Sequence, residues 1–176
     1  MMSHDETPER ILGIDPGLNI TGYGVIQAGA AGPQLCEAGV VRSRRGASIE
    51  ARLMEIHDGV AEVLRSLEPS VMAIEELYSH YKRPRTAILM GHARGVICLA
   101  AARLGIPIVH YGATQIKKML TGSGRASKGQ VQRAICHEFG LAAPPEPPDV
   151  ADALAVALCH LHCAHAAARI DLRDSA

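Results

Sequence analysis

Four carboxylates stand where the sequence pattern gives a carboxylate little reason to be. Asp15 closes the apolar run RILGID, immediately before Pro16-Gly17, and Glu75 comes near the end of SVMAIEEL, after Val71-Met72-Ala73-Ile74. Asp149 and Asp152 lie three apart, just past the cluster Pro144, Pro145, Pro147 and Pro148, so on a helix they share a face. A charge in a buried strand is costly unless it is paired or bound to metal. Glu76 alternates onto the opposite side of its strand from Glu75 and is the less telling of the two. Taken singly, Asp15 also suits a turn before proline, and Asp149 suits a helix cap or a partner for the helix dipole. Taken together, the four make a hard, all-oxygen donor set of the kind that holds Mg²⁺ or Mn²⁺. Spacing alone leaves their convergence open.

A second pattern lies in the distribution of charge. The 176 residues carry 18 Lys or Arg and 18 Asp or Glu, a formal net charge of zero. From Leu77 to His137, however, there are ten basic residues and no acidic one, so the rest of the chain is as acidic as this stretch is basic. A polyanion is recognised by local potential rather than by overall pI, although two such segments can also simply neutralise each other across a fold. Within the basic stretch, Lys82, Arg83 and Arg85 sit in a loop behind Glu75 and are expected to meet phosphates. The same residues also fit a solvated charged loop.

The elements that must position these groups follow from periodicity. RILGID (10–15), TGYGVIQA (21–28) and QLCEAGVVRS (34–43) read as three strands with connections short enough for hairpins. Ile49, Leu53, Ile56, Val60, Val63 and Leu67 form one stripe of a helix capped by Ser48. A strand over 70–77, a helix over 86–104 and a strand over 106–111 come next. Two short helices over 113–120 and 127–139 and a last helix over about 148–168 complete the chain. The order predicts one domain over 10–168: a five-stranded mixed sheet, three strands antiparallel and then parallel ones, with helices on its faces. Residues 1–9 are expected to be a disordered extension and 169–176 a flexible tail.

Composition narrows the class. At 48% hydrophobic and 20% charged, the chain is that of a folded globular domain, with an aliphatic core because only 3% is aromatic. The apolar stretch running from Val96 into Ile108 is interrupted by Arg103, Gly105 and Pro107, so no membrane span is expected, and MMSHDETPER has the wrong composition for a signal peptide. Five cysteines with no CxxC pair suit free thiols in a reducing cytoplasm. CHLHCAH (159–165) has the composition of a zinc cluster but lacks a second ligand pair.

The runs ILGIDPGLNITGYGVI, AIEELY and PPDVADALAVALCH, in this order and at these distances, resemble the RuvC family of Holliday junction resolvases over about residues 10–165. The resemblance implies a ribonuclease H-like fold and a magnesium-dependent endonuclease that cuts four-way DNA junctions in recombination and repair. It implies that Asp15, Glu75, Asp149 and Asp152 are a catalytic tetrad holding two Mg²⁺ ions, with Mn²⁺ able to substitute; some members carry His at the position of Asp149. It further implies that Lys117 and Lys128 contact the DNA backbone near the cut and that Tyr78 stacks on a base at the opened crossover. The helix holding Gly91 and Gly95 would contribute to a homodimer, working beside the RuvA–RuvB branch-migration complex. Two other readings are a junction-binding module without nuclease activity and a phosphotransferase domain of the actin and sugar-kinase type. The latter needs two such domains, and 176 residues allow one.

Overall fold

The computed structural model describes residues 9–77 and 84–174, with side chains as far as 167. Five strands, β1 (Arg10–Asp15), β2 (Ile20–Gly29), β3 (Gly32–Arg42), β4 (Val71–Glu75) and β5 (Ile108–Tyr111), form one sheet in the order β3-β2-β1-β4-β5. The β3-β2-β1 part is antiparallel, and β1-β4-β5 is parallel. This is the mixed topology expected from the pattern of the sequence.

Strand alternation sorts the side chains into two cores. Leu12, Ile14, Met72 and Ile74 pack beneath α1 (Ile49–Leu67) and α2 (Pro84–Arg103). Ile11, Val71, Ala73 and Tyr111 pack on the other face against α3 (Ala113–Thr121), α4 (Lys128–Phe139) and α5 (Pro148–Asp174). Asp15 and Glu75 follow the second parity, so both carboxylates fall on the face covered by α5.

Local signals set most boundaries. Ser48 caps α1 by accepting from the Ala51 amide, and Ser127 caps α4 in a reciprocal capping box with Gln130. α2 begins at Pro84, two residues before the expected start, because proline is well suited to a first helical position. Arg85 therefore lies in the first turn of a helix rather than in a loop. Tyr78, Lys82 and Arg83 lie outside the described residues. The bulge in β3 falls where Val25 pairs Glu37 and Ile26 pairs Leu35, leaving Cys36 without an opposite residue.

α5 departs furthest from expectation. It continues to Asp174 rather than stopping near 168, since no Gly or Pro interrupts residues 168–174. It also supplies the most apolar segment of the chain, in place of the stretch from Val96 to Ile108. Pro148–Ala167 is long and apolar enough to cross a membrane by length and composition, with a mean hydropathy of 1.4, but more than half of it is buried in this fold. The reason is its position: it lies between the sheet and the pair α3–α4, and so needs apolar residues on most of its circumference.

Candidate active site

The close seating of α5 is permitted by glycine. A Cβ on Gly13 of β1 would come 2.1 Å from the Ala153 carbonyl oxygen, and one on Gly22 of β2 would come 2.0 Å from that of Asp149. The helix thus rests backbone against backbone on the central strands, with Ala153 and Ala157 over Gly13. That contact brings the first turns of α5, with Asp149 and Asp152, to the carboxyl ends of β1 and β4, where open α/β sheets bind their ligands. Asp149 is the second residue of α5, inside the helix, so it is not the capping residue; its charge still complements the dipole.

The loop that follows Asp15 is braced from below. Thr21 Oγ1, fully buried, donates to the Gly17 carbonyl at 2.9 Å. Arg52 of α1 donates to the Leu18 carbonyl at 3.0 Å and to Asn19 Oδ1 at 2.6 Å. Glu75 sits where two hollows meet: one of about 260 Å³ shared with Lys117, Lys128 and Asp152, and one of about 270 Å³ shared with Asp15, Pro16 and Met90.

The electrostatics describe an anionic cluster short of positive charge. Burial, then the neighbouring Asp152, Glu75 and Asp149 carboxylates, push Asp15 up to about 7, opposed only by Lys128. Burial and Asp152 also push Glu75 upward, opposed by Lys117. Lys128 Nζ donates to Asp152 Oδ2 at 2.8 Å, and that bond, with Asp15 and Asp149 nearby, raises its own proton affinity. A lysine in the first turn of α4 is unfavourable toward the helix dipole, so its placement follows from the cluster rather than from the helix.

All four predicted carboxylates are therefore gathered, together with Lys117 and Lys128. Among the described residues, no three His, Cys, Asp or Glu side chains are drawn close enough to cage a metal ion. Asp152 is instead engaged by Lys128. The donor set nonetheless fits a hard divalent cation: oxygen ligands only, partly buried, and so deficient in positive charge that one of them binds a proton near neutrality. Arg85 lies at the exposed start of α2, away from these hollows. In the CHLHCAH segment, Tyr111 Oη lies 2.9 Å from His160 Nδ1, and Cys159 is fully buried.

Sequence reasoning missed two contributors. One is the pair Gly13 and Gly22, whose signal was glycine inside a strand pattern. The other is Arg94 of α2, which donates from Nε to the main-chain carbonyl of Glu75.

Comparison with known proteins points to one family. Residues 11–160 match the family model described as crossover junction endodeoxyribonuclease RuvC. A protein of that name from Rhodopirellula baltica is 58% identical over 151 residues, covering 85% of this chain and 84% of its own length. The Thermus thermophilus RuvC structure superposes with a TM-score of 0.82 at 35% identity, over 90% of this chain and 96% of that one. The same protein in complex with Holliday junction substrate gives a TM-score of 0.82, over 89% of this chain and 94% of that one.

Proposed function

The chain belongs to the RuvC family of crossover junction endodeoxyribonucleases, and we infer that it resolves four-way DNA junctions by paired phosphodiester cuts made at the carboxylate cluster. The observation carrying this reading is the convergence of Asp15, Glu75, Asp149 and Asp152 at one end of the sheet, with Lys117 and Lys128 beside them. A module that only bound junctions would gain from fewer negative charges near phosphate.

The family is metal-dependent, and in this chain Asp15, Glu75, Asp149 and Asp152 would hold the ions, with Mg²⁺ as the physiological choice and Mn²⁺ as a substitute. Two such ions supply a more acidic attacking water and charge stabilisation for the leaving 3′ oxygen. The protein's part is to set the geometry. β1 and β4 fix Asp15 and Glu75 on neighbouring strands, and the glycine contact fixes α5 against them. Lys117 and Lys128 bind the DNA backbone at the scissile phosphate, and Lys128 exchanges Asp152 for phosphate when DNA arrives. Tyr78, Lys82 and Arg83, which follow Glu75 in the sequence, and Arg85 in the first turn of α2 add contacts to DNA, with Tyr78 stacking on an exposed base.

Paired cutting needs two sites. On α2, Ile88 is 62% exposed and Leu99 50% exposed, and a Cβ on Gly91 or Gly95 would touch nothing. These four residues recur at helical spacing, an apolar stripe with room for close approach by a second copy. The homodimer forms there and works with the RuvA–RuvB complex in the cytoplasm, where the five free cysteines stay reduced. The test is a labelled synthetic four-way junction with and without Mg²⁺. Symmetric nicks are expected from the wild type, and binding without nicks from Asp15→Asn. A mobility shift with no nick from the wild type at any Mg²⁺ concentration overturns the reading.

A further inference from the structure

The carbonyl of Glu75 is the point at which the parallel ladder runs out of donors. A strand inside a parallel sheet bonds alternately to its two neighbours. The Met72 and Glu76 amides donate to the Pro107 and Tyr111 oxygens on the β5 side, both at 2.9 Å, so the odd-numbered residues of β4 face β1. The β1–β4 register ends at the pair Ile14 and Ile74. Continued by one residue pair, it assigns the Glu75 carbonyl to the amide of residue 16. That residue is Pro16, which has no N–H.

The missing donor comes from the layer on the other side of the sheet. Arg94 of α2 donates from Nε to the Glu75 carbonyl oxygen at 3.2 Å. Its Nη2 lies 2.5 Å from Nδ1 of His110 on β5, and because a guanidinium can only donate, His110 accepts there. α2 is itself anchored by Ala93 and Ile97, both fully buried on either side of Arg94 in sequence.

We propose that Arg94 is a positioning residue for the nuclease site. It replaces the ladder donor that Pro16 cannot supply and, braced by His110, holds the end of β4 so that the Glu75 carboxylate stays directed at Asp15 and Asp152. The role is geometric, since the cation bearing on the Glu75 carboxyl is Lys117. It rests on the reading of Glu75 as a metal-holding carboxylate.

The test is a Mg²⁺ titration followed by thermal unfolding of the full chain, with stability in EDTA and junction affinity in EDTA as controls. Arg94→Ala is expected to raise the Mg²⁺ midpoint about tenfold and to lower cleavage at subsaturating Mg²⁺, while junction affinity in EDTA is kept. Arg94→Lys, which keeps one donor but not the fork, falls between. A loss of EDTA stability with an unmoved Mg²⁺ midpoint makes Arg94 a purely structural residue and overturns the proposal. Should Arg94→Ala fail to fold, Arg94→Lys and Arg94→Gln decide, and wild-type midpoints in both overturn it. Glu75→Gln runs in parallel. If it moves the midpoint and the Arg94 variants do not, the positioning role fails; if it does not move the midpoint either, the carboxylate site fails and the proposal with it.

Discussion

Replacing Asp15 by Asn should stabilise the metal-free protein, and the gain should grow with pH. Asp15 titrates near 3.8 in an unfolded chain and at about 7 in the fold. The raised affinity means the folded state keeps its proton while the unfolded state has released it. Stability is therefore complete below about pH 3.8 and is lost as pH rises through 7. At about 1.4 kcal/mol for each tenfold change in proton affinity, the loss at pH 8 is about 4 kcal/mol, against about 1.5 kcal/mol at pH 5. Asp15→Asn removes this term at every pH, and any cost of burying an amide is the same at both. For a chain of this size the extra 2–3 kcal/mol corresponds to roughly 4–12 °C in Tm. The assay is thermal unfolding by circular dichroism in EDTA, wild type beside Asp15→Asn, at pH 5 and pH 8. The Tm advantage of the variant should be wider at pH 8. Excess Mg²⁺ at pH 8 should then narrow it by favouring the wild type, by about 2.7 kcal/mol at 100 times the dissociation constant. An advantage equal at the two pH values, or wider at pH 5, would refute the account of a proton standing in for a cation.

Other consequences can be measured separately. Gly13→Ala drives a methyl into the Ala153 carbonyl and should cost about 2–3 kcal/mol in denaturant unfolding, with cleavage falling as α5 shifts. Asp149→Asn and Asp152→Asn should each raise the Mg²⁺ needed for cleavage; a silent Asp149→Asn leaves that residue as a dipole partner only. Lys117→Ala and Lys128→Ala should each lower the slope of log affinity against log salt by about 0.9, read by fluorescence anisotropy on a junction. Leu99→Arg should give a monomer by sedimentation and replace paired cuts with single nicks.

What was legible in the sequence was local. RILGID is β1 to the residue, and the stripe from Ile49 to Leu67 is α1 with Ser48 as its cap, because alternation, helical spacing and capping act over a few residues. The four carboxylates were legible by type, since two stand at strand ends and two share a helix face. Their convergence was legible only through the family resemblance, because it depends on Gly13 meeting Ala157, a contact spanning most of the chain whose one local signal is a glycine inside a strand. The Arg94 bond was hidden likewise: Pro16 announces a missing donor, but only the β1–β4 register shows which carbonyl goes without. The extent of α5 was underestimated because helical periodicity fades in a helix apolar on most sides.

The seating of α5 also orders events in time. Asp15 leaves the ribosome 134 residues before Asp149, an interval of roughly 7–27 s at common elongation rates. During it, β1, β4 and the whole basic segment between Leu77 and His137 are already synthesised, while the α5 half of the carboxylate cluster does not exist. A nascent chain can thus acquire affinity for nucleic acid before it acquires the means to cut it. Glycine-lined strands wait uncovered until an unusually apolar helix arrives to close them. A chain broken by proteolysis ahead of residue 148 likewise keeps the basic segment and loses Asp149 and Asp152. Cutting is reserved for the completed fold.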